Sequence, residues 1–180
     1  MASFFTSRFL LLVLVANLFN FFQTSLCDLG EDEALITGIC RQVQDETFCL
    51  TTFRKIIPTH PYVPDEVTRA AISQSLQNAN DNHAFIEKAK AEAKDKETQD
   101  LYAICDTGYG LLISELQDSS QSLAKRGYIS LENSLSKCPK FVSDCQNALS
   151  DKATPEMLDR SRKQFDLVLM AKIAEGLIQK

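Results

Sequence analysis

The sequence has no tryptophan and is poor in glycine, proline and histidine, with 6 Gly, 5 Pro and 2 His among 180 residues. Few helix-breaking residues remain, and the abundant Ala, Leu, Glu, Lys, Gln and Ser favour helix over strand. The glycine-rich phosphate loop and the Gly-x-Ser-x-Gly elbow of serine hydrolases are both missing. The composition therefore predicts an all-α protein without these nucleotide-binding and hydrolase motifs.

Clustered basic residues are missing as well. The chain has 19 Lys and Arg against 24 Asp and Glu, which gives a formal net charge of −5 at pH 7. Binding to a phosphate backbone needs clustered cations, so nucleic acid is not an expected partner. The charged run from Glu87 to Glu97 is interpreted as a solvated helix face.

The two histidines offer little material for a catalytic or metal site. His60 lies in a proline-rich connection, and His83 lies on the apolar stripe of a predicted long helix. General bases and metal ions need partners that converge in space, and the sequence shows none beside either histidine. We therefore predict no catalytic residue, no metal site and no cofactor, in a protein that is not an enzyme.

The N-terminal segment has the features of a secretory signal peptide. Arg8 supplies positive charge, residues 9–22 are almost wholly apolar, and Ser25 and Cys27 are the small residues of a cleavage site. Cleavage after Ser25 is an alternative. So is a transmembrane anchor, but a span needs about 20 apolar residues and asparagines interrupt this run. We expect a secreted, extracellular protein with no membrane attachment after cleavage.

Hydrophobic periodicity divides the rest of the chain into a helical hairpin and a bundle. A short helix near residues 31–43 precedes three prolines that allow no long helix, and Asp65 is the expected N-cap of the next one. Four long amphipathic helices joined by short loops predict an up-and-down four-helix bundle. The long helices are expected at residues 65–94, from the charged break at 94–97 to about 125, at 128–149, and from 155 onward. The expected organisation is a signal peptide over 1–27, a hairpin and linker over 28–64, and the bundle over 65–180.

Four cysteines can crosslink this scaffold, which also indicates an oxidising compartment. Cys40 and Cys49 can close the short hairpin. Cys105 and Cys145 fall at nearly the same height on two antiparallel helices, so they can pair. Cys138 lies about 10 Å from that level, beyond the roughly 7 Å limit for a disulfide. It is predicted to be a buried free thiol, and an intermolecular disulfide is the alternative.

Several fragments occur in a set order along the chain. They are Ile39-Cys40-Arg41 through Phe48-Cys49-Leu50, Cys105-x-x-x-Tyr109 after Leu101, the Gly127-Tyr128 turn, and the four cysteines themselves. Together they resemble the plant invertase and pectin methylesterase inhibitors, along the whole chain after the leader. The resemblance implies a hairpin closed by Cys40–Cys49 and a four-helix bundle crosslinked by Cys105–Cys145. It also implies secretion to the plant cell wall and inhibition of a carbohydrate-active enzyme in a one-to-one complex.

Two signatures of this family concern the target enzyme. Invertase inhibitors often carry Pro-Lys-Phe in the turn between the second and third bundle helices, but this chain has its Pro139-Lys140-Phe141 inside the predicted third helix. Pectin methylesterase inhibitors tend to have Gly-Asp-Tyr in that turn and Thr-Cys-x-Asp around the fourth cysteine. The corresponding segments here are Arg126-Gly127-Tyr128 and Asp144-Cys145-Gln146-Asn147. The resemblance favours pectin methylesterase as the partner, with acid invertase as the alternative, and its candidate contact residues are Arg126, Gly127, Tyr128, Asp144 and Asn147.

Two further interpretations involve no inhibition. The departures at Gly127, Asp144 and Asn147 leave open a helical secreted protein that serves as a structural or signalling partner. A carrier of lipids is the other, although plant lipid-transfer proteins are usually shorter, with more cysteines and adjacent cysteine pairs.

Overall fold

The computed structural model describes residues 33–58 and 61–178, and all regular structure in them is helical. The proposed signal peptide and His60 lie outside the described residues. Helix α1 covers residues 33–40 of the described part. The other helices are α2 (Glu46–Ile56), α3 (Pro64–Glu92), α4 (Lys96–Ala124), α5 (Tyr128–Leu149) and α6 (Pro155–Gly176), with a 3₁₀ turn at Ser150–Lys152 before α6.

Two helix starts follow the sequence directly. The Asp95 side chain accepts the backbone N–H of Thr98 and caps α4, which places the break between α3 and α4 inside the predicted charged stretch. The Thr154 hydroxyl accepts the N–H of Met157 and caps α6, with proline at the first helical position. Both arrangements are the N-terminal signals that the sequence contains.

The start of α3 differs from the prediction. The sequence predicts Asp65 as the N-cap, and this is wrong, because α3 begins at Pro64 and Val63 is the cap residue without a side-chain bond. Proline is pre-organised for the first helical position and needs no partner for a missing N–H. Asp65 instead lies in the first turn, where its negative charge interacts favourably with the positive end of the helix dipole.

Helices α3 to α6 form the predicted up-and-down bundle. Each packs against two neighbours, in the order α3, α4, α5, α6 and back to α3, and α2 rests against α3 and α6. The inward stripes interlock in one core, and burying each large aliphatic side chain contributes roughly 1.5–3 kcal/mol. Fully buried members of the core include Ile72, Ile86, Leu112, Leu116, Leu131, Leu135 and Leu149.

Two disulfides hold this architecture, in the expected pairing. Cys40–Cys49 joins the end of α1 to α2 with a Cα–Cα distance of 5.4 Å. Cys105–Cys145 joins α4 to α5 with a Cα–Cα distance of 4.4 Å. One turn along α4, a Cβ added at Gly108 would lie 3.2 Å from the carbonyl oxygen of Phe141. The backbones of α4 and α5 therefore approach closely along this stretch.

A buried carboxylate fastens the hairpin to the bundle. Asp166 of α6 is only 2% exposed, and its two oxygens accept the backbone N–H groups of Gln44 at 3.0 Å and Asp45 at 3.2 Å. Asp45 in turn caps α2 by accepting the N–H of Phe48 at 2.8 Å. The loop between α1 and α2 is thus held by a residue from the far end of the chain.

Replacing Asp166 by asparagine is expected to lower the free energy of unfolding by about 2 kcal/mol, because one of the two backbone N–H groups then faces the NH₂ group of the asparagine, which cannot accept a hydrogen bond. Asp159→Asn is the matched control on α6, since Asp159 is exposed and pairs with Lys163 one turn away. The control is expected to change stability by about 0.5 kcal/mol or less. Urea unfolding followed by circular dichroism measures both, and equal losses would contradict this role of Asp166.

Candidate partner-binding surface

The turn between α4 and α5 is a Schellman cap. The N–H of Gly127 bonds to the carbonyl oxygen of Ser122 at 2.8 Å, and the N–H of Arg126 bonds to that of Leu123 at 3.0 Å. The motif requires one left-handed residue, and Arg126 takes that position with φ of 55°. Gly127 has φ of −86°, which any residue adopts. The glycine therefore stands one position after the place where its conformational freedom is needed.

Replacing Arg126 by glycine is expected to raise the free energy of unfolding by about 1 kcal/mol, since left-handed backbone costs a residue with a Cβ about that much. Lys125→Gly is the control, because Lys125 has φ of −92° and glycine gains nothing there. Thermal unfolding followed by circular dichroism should show a higher midpoint for the first variant and an unchanged or lower one for the control. A lower midpoint for Arg126→Gly than for the unaltered protein would show that the left-handed backbone at Arg126 does not destabilise the fold.

The five residues that the sequence suggests as contacts lie at two places. Arg126, Gly127 and Tyr128 lie at the N-terminal end of α5, and Tyr128 is half-buried against the core. Asp144 and Asn147 lie near the other end of the same helix, about 24 and 28 Å from Tyr128 at 1.5 Å per residue. The turn and the end of α5 therefore belong to one binding surface only if that surface runs the length of the helix.

Asp144 and Asn147 belong to an exposed surface that α4 shares with α5. An ion pair joins the two helices on this surface: Oε1 of Glu115 on α4 and Nζ of Lys137 on α5 are 2.8 Å apart. At 100° per residue, Lys137 and Asp144 project from the same side of α5. We call this surface the outer α4–α5 face, and its members are Ile104, Leu111, Glu115, Lys137, Lys140, Asp144 and Asn147.

Two aliphatic side chains stand out on the outer α4–α5 face. Ile104 is 50% exposed and Leu111 is 49% exposed, and they lie two turns apart on the same side of α4 as Glu115. Neither residue is signalled by the sequence, because both lie outside the buried stripe of α4 and belong to no recognised motif. Exposed aliphatic residues surrounded by polar ones are typical of the centre of a protein interface.

The charges on the outer α4–α5 face are paired with one another. The Lys140 ammonium lies 2.6 and 2.8 Å from the two carboxylate oxygens of Asp144. The hydrogen bond to Glu115 raises the pKa of Lys137, so this ammonium remains charged. Because these charges compensate one another, Ile104 and Leu111 are the side chains that can gain most from burial against a partner.

Cys138 lies behind this surface, inside the core. It is buried and forms no disulfide, and its thiol donates to the carbonyl oxygen of Ser134 at 3.4 Å. Burial raises the pKa of Cys138 to about 12, so the group stays a protonated thiol at neutral pH. A protonated, enclosed thiol is neither a nucleophile nor available for a bond to another chain.

The surface cavities of the described residues include two beside α3. One of about 410 Å³ lies between α3 and α4, lined mainly by charged side chains such as Glu87, Lys90 and Asp106. The other, of about 890 Å³, is lined by α3, α4 and α6 and the turn before α6, and includes Lys88 and Arg160. Neither has the continuous aliphatic lining that an acyl chain needs. No helix in residues 33–58 and 61–178 is both long and apolar enough to cross a bilayer.

The fold and its crosslinks define a class of disulfide-bonded helical bundles with an N-terminal hairpin. The chain belongs to the plant invertase/pectin methylesterase inhibitor family, whose sequence model matches residues 34–174. No curated protein sequence matches the chain significantly.

Solved structures have the same fold. A crystal structure of a pectin methylesterase inhibitor from Arabidopsis thaliana matches with a TM-score of 0.64 and 13% identity, over 83% of this chain and 99% of that one. A mutant form A of a pectin methylesterase inhibitor from Arabidopsis matches with a TM-score of 0.73 and 13% identity, over 81% and 97% of the two chains. At such low identity, the likeness shows the fold alone.

Proposed function

We propose that this protein is a secreted inhibitor of a pectin methylesterase, which it binds one to one in the extracellular space of the plant cell wall. Membership of a family of pectin methylesterase and invertase inhibitors carries the proposal, because the match covers residues 34–174. The two disulfides suit an oxidising compartment outside the cell. The protein acts by binding and has no catalytic role.

The choice of esterase over invertase depends on two segments. Tyr128 is the first residue of α5, directly after the turn, and it matches the tyrosine of the Gly-Asp-Tyr signature of the esterase inhibitors. Pro139-Lys140-Phe141, the signature of invertase inhibitors, is inside α5, where Phe141 packs against the core. In that position the tripeptide cannot enter an active site as a turn would. Acid invertase is therefore the second candidate.

The proposed mechanism is steric occlusion of the pectin-binding cleft by the outer α4–α5 face. A stable complex buries about 800 Å² on each partner. The rigid pair of long helices, crosslinked by Cys105–Cys145, can offer a surface of that size. Ile104 and Leu111 would be buried at its centre, and Asp144 and Asn147 near its edge. Crosslinked helices lose little further entropy on binding, which favours affinity.

A side-by-side titration tests the choice of target. The purified protein is added to a pectin methylesterase assay and to an acid invertase assay, with each enzyme well above the expected Kd. Loss of esterase activity near an equimolar ratio, with invertase unaffected, is the expected result. Inhibition of invertase alone would establish the second candidate, and no inhibition of either enzyme at tenfold excess would favour a structural or signalling role.

A double substitution tests the esterase assignment independently. Arg126→Gly with Gly127→Asp restores the Gly-Asp-Tyr order, and an added Cβ at position 127 meets only the Ser122 carbonyl oxygen at 3.6 Å, an ordinary contact. If the turn reaches the esterase, inhibition should become about threefold to tenfold tighter, which corresponds to about 1 kcal/mol. Unchanged inhibition would place the turn outside the complex and leave the outer α4–α5 face as the contact surface.

A further inference from the structure

A histidine and two carboxylates meet on the side of the bundle where α3 packs against α4. His83 and Glu87 lie one turn apart on α3, and Asp106 lies opposite them on α4. The Nε2 atom of His83 is 2.7 Å from Oδ1 of Asp106. One donor atom from each of the three side chains lies within 4.8 Å of the others. The cluster adjoins the smaller of the two cavities, which Glu87 and Asp106 help to line.

The three groups are accessible to a ligand. The side chains of His83 and Asp106 are 27% and 26% exposed, so they are partly shielded yet reachable from solvent, and Glu87 is exposed. The hydrogen bond from Lys90 lowers the pKa of Asp106, with a further contribution from His83, so the carboxylate is charged. The Lys90 ammonium lies 2.8 Å from Oδ2 of Asp106, on the other oxygen from the one that faces His83.

We propose that His83, Glu87 and Asp106 bind one divalent transition-metal ion of the zinc type, which bridges α3 and α4. One imidazole nitrogen and two carboxylate oxygens form a three-ligand set that suits zinc, with a fourth position left for water. Calcium and magnesium prefer all-oxygen sites, so they are poor matches. The ion would replace the hydrogen bond between His83 and Asp106, and the Nε2 proton would move to Nδ1 of the imidazole or, from a charged ring, to solvent.

The required movement is small. Ligand bonds of about 2.0–2.2 Å place neighbouring donors of a tetrahedral zinc ion about 3.3–3.5 Å apart. The present 2.7 Å separation of Nε2 and Oδ1 must therefore widen by less than about 1 Å, within the reach of side-chain rotation. Glu87 is exposed and free to rotate towards the ion. Lys90 competes for Asp106, so its ammonium weakens the site without blocking it.

The site is separate from the outer α4–α5 face. Asp106 points from α4 towards α3, whereas Ile104 and Leu111 lie outside the contact between these two helices. Zinc should therefore stabilise the bundle whether or not the protein inhibits an esterase. The inference does not depend on the proposed function.

Isothermal titration of the untagged protein with zinc chloride tests the site. The expected result is one ion per chain, with binding weakened by at least about tenfold to a hundredfold in His83→Ala, since losing a ligand costs no less than losing the partner that orients one. Glu87→Gln should weaken binding as well, and its exposed position means that the fold is not at risk. Lys90→Gln should bind several-fold more tightly. His60→Ala is the control and should bind as the unaltered protein does.

Thermal unfolding with zinc chloride gives a second readout. Saturating zinc should raise the midpoint of the unaltered protein and of His60→Ala but not that of His83→Ala, because an ion bound only to the folded state adds stability. Magnesium chloride at the same concentration should leave all midpoints unchanged. Zinc binding weaker than about 1 mM, binding retained in both His83→Ala and Glu87→Gln, or binding lost in His60→Ala would each overturn the proposal.

Discussion

Replacing Ile104 and Leu111 together by glutamate is expected to weaken inhibition of a pectin methylesterase by about 100-fold or more. Both side chains are about half exposed, so the free energy of unfolding should change by only about 0.5 kcal/mol. In the complex, the two new carboxylates would lose water without gaining partners. A central interface residue is worth about 2 kcal/mol, and 1.4 kcal/mol corresponds to about tenfold in affinity.

The matched control for this double variant is Leu158→Glu. Leu158 is 41% exposed and lies on α6, diagonally across the bundle from α4. The Leu158→Glu substitution should lower the affinity for the esterase by less than about threefold. Residual esterase activity measured against inhibitor concentration gives both values. Full inhibition by the double variant, or an equally large loss of affinity in Leu158→Glu, would show that the outer α4–α5 face does not contact the esterase.

Replacing both Cys105 and Cys145 by alanine is expected to lower the free energy of unfolding by about 4 kcal/mol, because the unfolded chain then regains the entropy of a forty-residue loop. Cys138→Ala is the matched control, since Cys138 lies on α5 with Cys145, is equally buried and forms no crosslink. The loss in the double variant beyond that of two such alanine substitutions measures the crosslink. Guanidinium unfolding followed by circular dichroism gives both values.

The same double variant should also inhibit more weakly. Without the crosslink, the close approach of Gly108 to the Phe141 carbonyl is no longer enforced, so the outer α4–α5 face becomes less rigid. Ordering it again on binding has an entropic cost, and we expect a loss of about tenfold in affinity. A double variant with unchanged unfolding midpoint and unchanged inhibition would show that the disulfide does not prepare the binding surface.

Local signals were enough to predict much of the fold from the sequence. Helix α5 spans Tyr128–Leu149, as its apolar rhythm and the preceding turn indicate. Thr154 begins α6 because capping is a matter of adjacent residues. The height of Cys105 and Cys145 on antiparallel helices showed that they could pair.

Features that depend on contacts between distant residues could not be predicted from the sequence. The bond from Asp166 to the loop at Gln44 and Asp45 joins opposite ends of the chain, and no local pattern announces it. His83 looked like a member of the apolar stripe, because only the packing of α3 against α4 reveals Asp106 beside it.

The proposed contact surface includes only some of the residues that the sequence suggests. Family signatures pointed to Asp144 and Asn147, but they also pointed to Tyr128, which lies about 24 to 28 Å from these two residues along α5. Ile104 and Leu111 carry no motif, and their exposure became visible only once α4 and α5 were packed together. Which apolar side chains stay exposed depends on how the helices pack in the bundle. Sequence periodicity alone therefore does not identify Ile104 and Leu111 as candidate contacts.

Competition between the inhibitor and a pectin fragment tests occlusion most directly. Size-exclusion chromatography with light scattering is run on equimolar protein and pectin methylesterase, with and without a large excess of an oligogalacturonide that fills the cleft. We expect a single species with the mass of one inhibitor plus one enzyme, and we expect the oligogalacturonide to dissociate it. A complex that persists with the cleft filled, or two proteins that elute separately without the oligogalacturonide, would contradict it.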